Sequence, residues 1–273
     1  MTPAPRHGPE DLKMAAAAAE CVVETHRRLA AMLRPGLTLA EIDGFVARTL
    51  SDLNCKSCFL GYRPGRVPPF PSHACLSVNE CVVHGTATYR SEPLVEGDVL
   101  KIDIGVNHHG WIGDAAWTYF MGEPDEPRLK LREAGKASIR AGIKALQPGA
   151  PLVDWARAVQ ACVEEEHGLH LVRGLGGHGY GKRMHESPWI SNVVPTMPGE
   201  WGDATMKLAP GMLLAVEPML ALGTGATLPS GREWPIYIAD GSLSAHYEHD
   251  VLITEDGPQV LTAGLEEIRD IIR

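Results

Sequence analysis

The sequence predicts an α+β fold built from two similar halves, each made of two helices followed by a β-hairpin. Helices are predicted to stop at a Pro-Gly pair in two places, at Pro35-Gly36 and at Pro148-Gly149, about 113 residues apart. At nearly the same offset, the segment EGDVLKID, which ends at Asp103, is echoed by PGMLLAVE, which ends at Glu217. A repeat at a fixed offset indicates internal duplication, although chance similarity between helix stops remains an alternative for the helix pair alone.

In the first half, the Pro-rich residues 1–9 are expected to be flexible, and a helix is predicted over about 10–33. Thr38 and Glu41 have the spacing of a capping box, which predicts the start of a second helix that runs to about Leu53.

In the second half, a helix is predicted over about 126–146 and another from about Leu152. We expect residues 10–273 to form a single catalytic domain whose halves cover about 10–125 and 126–273.

The segment VLKIDIGVNHHGWIGDAAWTYF predicts a β-hairpin, because two alternating apolar runs flank a polar stretch that ends in Gly110. A loop over 107–110 places Asp103 directly opposite Asp114, with both side chains on the same face. Two like charges at this position are destabilising. Either a shared proton or a bound cation would relieve the repulsion, and the hairpin alone leaves both open.

Composition excludes several classes of function. The formal charge of −9, the pI near 5.7 and the lack of a basic run argue against a nucleic-acid partner. The six cysteines are irregularly spaced, which is typical of a reduced cytoplasmic location and not of a disulfide framework. Cys55-x-x-Cys58 is half of a zinc motif, but no second pair follows, so no zinc site is expected there. No apolar run is long enough to span a membrane.

The duplication supplies four acidic residues, because Glu248 opens a strand in SAHYEHDVLIT much as Asp114 does. Four carboxylates can converge only around cations. His178 lies in GLGGHGYG, where the glycines allow close backbone approach and leave the imidazole free to bind an ion. Four carboxylates and one imidazole suit two divalent ions, and the oxygen-rich set favours manganese, iron or cobalt.

These motifs together resemble the type I methionine aminopeptidases of the pita-bread (creatinase/aminopeptidase) fold. The matching segments cover nearly the whole chain: SVNECVVHG around His84, KIDIG with Asp103, GD at Asp114, GHGYG with His178, MHESP around His185, GMLLAVEPML with Glu217 and SLSAHYEHD with Glu248. The resemblance implies duplicated halves around a curved antiparallel sheet. It further implies that Asp103 binds one ion, that Asp114 and Glu248 bridge, and that His178 and Glu217 complete the second ion.

The activity that the resemblance implies is that of a methionyl aminopeptidase, a metal-dependent hydrolase that removes the initiator methionine from nascent polypeptides. In the family pattern, His84 and His185 contact the substrate and act in catalysis, and Glu217 moves a proton to the leaving amine. The residues that match the family's methionine pocket are Tyr62, Phe70, Cys75 and Trp234. A small second residue in the substrate, a cytoplasmic monomer and the ribosome as a candidate partner are further expectations.

This chain departs from the family pattern in two places. It has Ile112-Gly113-Asp114-Ala115 where the family usually has His-Gly-Asp-Thr, so two polar residues that could hydrogen-bond to the metal ligands are lost and the resemblance leaves the metal preference open. It also has extra residues at 63–69, next to Tyr62. The remaining histidines stand at no ligand position and are expected at the surface or in satisfied contacts: His108, His109, His167, His170, His246 and His249.

Competing functions are separated by further observations. A proline-directed aminopeptidase of the same fold normally has an additional N-terminal domain, and a type II enzyme has a large insertion between the residues equivalent to His185 and Glu217. Neither feature is expected here. A non-catalytic binding protein of this fold would have lost ligands, and all five are present. A two-metal phosphoesterase would need an Arg or Lys clamp, whereas the predicted pocket is apolar.

Overall fold

The computed structural model describes residues 4–65, 67–228 and 233–273. Its α-helices are α1 (Pro9–Met32), α2 (Leu39–Asp52), α3 (Glu126–Ala145) and α4 (Val153–Gln160), and α4 continues into a π-helical turn, Ala161–Glu166. A 3₁₀ helix covers Ala263–Glu267. Among the described residues, no helix is both long and apolar enough to cross a lipid bilayer.

The strands in the described residues are mostly short. They are β1 (Lys56–Ser57), β2 (Cys75–Val78), β3 (Cys81–Val83), β4 (Val99–His108), β5 (Trp111–Met121), β6 (His170–Leu171), β7 (Gly176–Gly179), β8 (Glu186–Ser191), β9 (Leu213–Val216), β10 (Met219–Ala221), β11 (Ile236–Tyr237), β12 (Ser244–His246), β13 (His249–Thr254), β14 (Gly257–Val260) and β15 (Ile271–Ile272).

Two five-stranded sheets dominate the fold. One has the order β1-β4-β5-β15, with β2 also paired to β4, and the other has the order β14-β13-β9-β7-β8. Smaller sheets are formed by β12-β10-β6 and by β11-β3. Apart from the parallel pair β5 and β15, the paired strands are antiparallel, in agreement with the predicted α+β class.

Helix α1 packs directly on β5, and the alanine-rich part of its sequence explains why. Ala15, Ala18 and Ala19 are fully buried, and a Cβ at Gly113 would lie only 2.6 Å from the backbone of Ala18. Small residues on both surfaces therefore let the helix approach the sheet closely. The predicted capping box of α2 is present, because Thr38 Oγ1 accepts from Glu41 N and the Glu41 carboxylate accepts from Thr38 N.

The two halves share backbone features at equivalent positions. Gly36 and Gly149 have φ of 92° and 82°, and Gly97 and Gly211 both have φ of 90°. This agreement supports the duplication, which stays an interpretation.

Residues 1–3 of the N-terminal segment lie outside the described residues. In the described part of this segment, His7 N donates to Gly211 O at 2.9 Å.

The register predicted for the central hairpin is wrong by two residues. His108 pairs with Trp111, so Asp103 lies opposite Ala116 and Asp114 lies opposite Gly105. The reason is a two-residue turn at His109 and Gly110, whose φ values are 52° and 89°, so that residues 107 and 108 continue the strand. A change of two keeps both aspartates on one face, as diagonal neighbours.

Candidate metal centre

The candidate centre lies where the two large sheets meet. Glu248 N donates to Ala116 O at 2.8 Å, and Asp250 Oδ2 accepts from Asp114 N at 2.9 Å. These two bonds fasten Glu248 and the start of β13 to β5, and they bring Glu248 beside Asp114.

Glu217 faces Glu248 across the second hairpin. The pairs Val216 with His249 and Met219 with His246 flank these two glutamates on either side. The directly opposed carboxylates that were predicted in the first hairpin are therefore found in the second.

The glycines around His178 serve the packing of β7 between two neighbours. A Cβ at Gly177 would lie 2.2 Å from Ala215 O on β9, and one at Gly179 would lie 2.2 Å from Ser187 O on β8. Only glycine fits at these positions, and the close packing fixes His178 between them. His178 Nδ1 donates to Gly179 O at 3.1 Å, which leaves Nε2, 3.8 Å from Asp114 Oδ2, available as a ligand atom.

All five predicted ligands line one cavity of about 300 Å³. Two sets of three possible ligands share Glu248: one is Asp114, His178 and Glu248, and the other is Glu217, His246 and Glu248. Asp103 lines the same cavity without belonging to either set.

The side chains of this cluster fit divalent cations. Asp103 Oδ1 and Asp114 Oδ1 are buried and have no hydrogen-bond partner. Desolvation raises the pKa of Asp103 to about 7, with a contribution from Glu217, and raises the pKa of Asp114 and Glu248 well above the usual range, with contributions from neighbouring carboxylates. No Lys or Arg lies among the described residues that line the cavity. Cations are therefore the missing counter-charge.

The imidazole of His178 is in the form that a ligand requires. Burial lowers its pKa to about 3, so the ring is neutral and Nε2 carries a lone pair.

The predicted pocket residues form one wall of the same cavity. Phe70 and Cys75 are buried together with Phe59, and Tyr62 and Trp234 pack against them. The Phe70 and Trp234 rings meet edge to face at 5.1 Å. Cys75 pairs with Asp103 in the register of β2 and β4, so the apolar wall joins the carboxylate cluster directly.

The extra residues 63–69 leave Tyr62 in place. Phe70 N donates to Tyr62 O and Gly61 N donates to Phe70 O, both at 2.8 Å, so the insertion loops out from a closed neck. Its described part reaches the wall, because Trp234 Nε1 donates to Pro68 O at 3.0 Å. Arg66 lies outside the described residues.

His84 and His185 both line the cavity, and neither belongs to a set of possible ligands. His84 follows β3 with a left-handed backbone, φ 58°, and its ring meets Trp234 edge to face at 6.0 Å. His185 Nδ1 lies 2.9 Å from the Tyr62 hydroxyl, and its ring is 4.4 Å from that of His178. The two rings are therefore placed to contact a substrate held in the cavity.

His246 is a site residue that the sequence analysis missed. It was expected at the surface or in a satisfied contact, yet it is buried, lines the cavity and donates from Nε2 to Glu217 Oε2 at 3.1 Å. The available signal was its spacing, because His246 and Glu248 are two positions apart and share a face of an extended segment.

Among the other histidines, His249 is buried against Thr262 Oγ1 at 2.9 Å, and His109 and His170 are exposed. His167 Nδ1 donates to Cys162 O at 2.8 Å. His108 lies beside Cys55, 3.4 Å from its sulfur.

The substitution at Ala115 does not face the carboxylates. Side chains alternate along β5, so Ala115 shares the face of Gly113, which packs on α1, and Asp114 has the opposite face. A threonine at position 115 would therefore point its side chain away from the cavity.

Comparison with known proteins agrees with the motifs and the geometry. The family description that matches residues 13–255 is Metallopeptidase family M24. Methionine aminopeptidase 1 of Mycobacterium tuberculosis is 36% identical over 265 residues, which cover 95% of each chain. Methionine aminopeptidase 1 of Bacillus subtilis is 35% identical, with 93% of this chain and 97% of that protein covered.

Solved structures give the same result for the fold. A crystal structure of methionine aminopeptidase from Thermotoga maritima has a TM-score of 0.86 at 33% identity and covers 95% of this chain and 99% of that one. Prolidase from Pyrococcus furiosus, at 21% identity and a TM-score of 0.72, shares the fold. The pita-bread fold predicted from the sequence is thus confirmed, and the chain belongs to metallopeptidase family M24 and, within it, to the methionine aminopeptidases.

Proposed function

We propose that this protein removes the N-terminal methionine from polypeptides whose second residue is small, using two divalent ions. One observation carries the proposal: a single cavity joins a cluster of four carboxyl groups and His178 to an apolar wall. An aminopeptidase for an apolar residue needs both parts in contact, because the side chain and the scissile bond belong to the same residue.

The apolar wall would bind the methionine side chain. A flexible thioether suits a lining of aromatic rings and sulfur, here supplied by Phe59, Phe70, Trp234, Cys75 and Met184. The volume of about 300 Å³ is at the lower end for ligand pockets, which suits one side chain and its peptide bond. The preference for a small second residue rests on the resemblance to the family.

The ions would be held by Asp103, Asp114, His178, Glu217 and Glu248. Bound divalent cations supply Lewis acidity toward the scissile carbonyl and lower the pKa of water. Cobalt, manganese or iron suits this oxygen-rich set of ligands.

The chain's own groups would carry the remaining steps. His185, oriented by the Tyr62 hydroxyl, is placed to donate to the developing oxyanion, and His84 to contact the scissile amide. Glu217 is placed to move a proton to the leaving amine, and the hydrogen bond from His246 holds its carboxylate in position.

The domain organisation, the partners and the location in the cell belong to the same proposal. Residues 10–273 would act as one catalytic domain, with nascent polypeptides as substrates and the ribosome as a candidate partner of a monomer. Six free cysteines are consistent with a reduced cytoplasmic location.

A peptide panel tests the proposal. Purified protein with bound Mn²⁺ or Co²⁺ is incubated with Met-Ala-Ser, Met-Leu-Ser and Leu-Ala-Ser, and free amino acids are measured. We expect methionine from the first peptide, much less from the second and no leucine from the third. Protein that holds metal but releases no methionine from Met-Ala-Ser would contradict the assignment.

A proline-directed peptidase is the competing function, since Prolidase from Pyrococcus furiosus shares the fold. An Ala-Pro peptide in the same panel separates the two. We expect no cleavage of it, and cleavage of Ala-Pro in place of Met-Ala-Ser would favour the competitor.

A further inference from the structure

A second group of metal-binding side chains lies outside the candidate centre. Cys21 is on α1, Cys55 follows α2, and His108 ends β4. One possible ligand atom from each lies within 4.8 Å of the others, and none of the three residues lines the cavity. The sequence motif Cys55-x-x-Cys58 gave no reason to expect this, because the partners of Cys55 are distant in the chain.

The distances suit a tetrahedral ion. The Cys21 and Cys55 sulfurs lie within 4.8 Å of each other, and Cys55 Sγ is 3.4 Å from His108 Nδ1. Bond lengths of about 2.3 Å to sulfur and 2.0–2.1 Å to nitrogen at tetrahedral angles separate a sulfur from a nitrogen by about 3.5 Å. The cysteine and histidine are thus already at the separation that two zinc ligands have.

The charge and the exposure of these three side chains also suit a bound divalent ion. Two thiolates and a neutral imidazole balance one divalent cation, so the occupied site would bury no net charge. Desolvation raises the pKa of Cys55 to about 12, so without an ion its thiol stays protonated, and binding must release the proton. Cys21 and His108 are partly exposed, which gives an ion a path and leaves a fourth position for water.

A similar group elsewhere lacks these properties. Cys162 Sγ is 3.8 Å from His167 Nδ1, but that nitrogen also donates to Cys162 O at 2.8 Å. The third member, Glu166, is exposed, and the group has one thiol only. This group therefore provides a matched control.

We propose that Cys21, Cys55 and His108 form a zinc site separate from the catalytic cavity. Thiolate ligands favour zinc over manganese, magnesium or calcium, so the site would differ in metal preference from the carboxylate cluster. A bound ion would join helix α1, the end of α2 and the hairpin of β4 and β5. The site would be structural, because none of its residues reaches the cavity.

Cobalt absorption tests the proposal, because a thiolate bound to Co²⁺ gives a near-ultraviolet charge-transfer band that carboxylates and imidazoles do not give. Metal-free, reduced protein, with all six thiols titrated beforehand, is titrated with Co²⁺. Because the carboxylate cluster also binds Co²⁺ but gives no such band, we expect the band to reach the intensity of one thiolate-bound Co²⁺ per chain, within no more than three equivalents, and to disappear when Zn²⁺ is added. Cys21→Ser and Cys55→Ser should lose the band, and Cys162→Ser should keep it.

Three results would overturn the proposal: no band in the reduced protein with excess Co²⁺, a band that persists in Cys21→Ser, or loss of the band in Cys162→Ser. Circular dichroism verifies that each variant is folded. If the serine variants do not fold, His108→Asn, at a partly exposed position, provides the test. The affinity for Co²⁺ measured from the charge-transfer band should be lower in this variant than in the wild type. An unchanged titration of the band would contradict the site. Because the readout requires no peptide hydrolysis, failure here is distinguishable from failure of the proposed function.

Discussion

At the scale of single residues, the decisive feature is a set of buried carboxyl groups that the protein itself leaves without a counter-charge. Desolvation raises the pKa of Glu217 and Glu248 well above the usual range, and Asp103 and Asp114 each keep an oxygen without a partner. Burial of unpaired charge is costly, so the cluster is arranged for ions and not for the stability of the chain alone.

His84 is expected to matter for catalysis and not for metal binding. In His84→Ala, kcat for Met-Ala-Ser should fall by about 10² to 10⁴, because a contact to the reacting amide is lost. The metal content, measured by atomic absorption, should stay unchanged, since His84 belongs to no set of possible ligands.

The backbone at His84 requires a control, because its φ of 58° is left-handed. Asparagine accepts this conformation more readily than most residues. His84→Asn should therefore be as inactive as His84→Ala, with a smaller loss of stability. Recovery of activity in His84→Asn would assign the effect to the backbone, and loss of metal would make His84 a ligand.

His26 predicts a dependence of stability on acid. It is fully buried on α1, with Nδ1 3.0 Å from the Tyr119 hydroxyl, and desolvation lowers its pKa to about 4. The unfolded chain binds this proton near pH 6.5, so stability is full above that pH and is lost as pH falls toward 4. The loss from this group is up to about 3 kcal/mol.

Urea unfolding between pH 4 and 8 measures the contribution of His26 to the free energy of unfolding. The decrease of this free energy with falling pH should be smaller in His26→Gln than in the wild type, and the exposed control His170→Gln should follow the wild type. Equal slopes in the wild type and His26→Gln would contradict the prediction.

Site residues could be predicted from the sequence where their role follows from neighbouring residues in the chain. They could not be predicted where the role depends on partners that are distant in the sequence. All five predicted ligands meet in one cavity, since each occurs in a recognisable local motif. The pairing of Asp103 was wrong because His109 takes a left-handed turn conformation that its residue type only weakly favours. His246 was missed because its role depends on Glu217, which lies 29 residues away in the sequence.

At the scale of secondary structure, strand β7 determines where His178 lies. Its glycines let β8 and β9 approach on either side, and the hydrogen bond to Gly179 O orients the ring. The position of a metal ligand thus depends on neighbours that bind no metal.

Gly177→Ala should therefore weaken metal binding without touching a ligand. Its Cβ would lie 2.2 Å from Ala215 O, so β7 and β9 must separate and His178 must move. We expect affinity for Mn²⁺, measured by calorimetry, to fall at least about tenfold, with a lower melting temperature.

Gly202→Ala is the matched control, because a Cβ at that position meets nothing within 4 Å. It should leave both the affinity and the melting temperature unchanged. Wild-type Mn²⁺ affinity in Gly177→Ala would show that the close packing of β7 is not what positions His178.

Helices and long strands were predictable to within a few residues, and the shortest strands were not. Helix α1 was predicted over 10–33 and covers Pro9–Met32, because Pro35 and Gly36 give a local stop signal. Strands β1, β6 and β11 have two residues each and exist only through their pairing with strands from elsewhere in the chain. No local pattern of two residues can predict them.

At the scale of the whole molecule, the candidate centre joins the two large sheets. Asp103 and Asp114 lie on β4 and β5 of one sheet, while His178 on β7 and Glu248 next to β13 belong to the other. Ions bound between them would connect the two halves, so metal binding should stabilise the entire fold.

Removal of metal should therefore lower the melting temperature of the protein. At a Mn²⁺ concentration of 100 times Kd, binding adds about 2.7 kcal/mol, which for a chain of this size raises the melting temperature by about 5 to 10 °C. Manganese is the suitable probe, since it favours oxygen ligands and should not occupy the cysteine site.

The variant Glu248→Gln should largely lose the increase in melting temperature that Mn²⁺ causes. Without metal, this variant should be at least as stable as the wild type, because an amide replaces a desolvated carboxyl group. Glu255→Gln, at an exposed position, should respond to Mn²⁺ as the wild type does. A wild-type protein that melts at the same temperature with chelator and with Mn²⁺ would show that the carboxylates do not join the sheets through an ion.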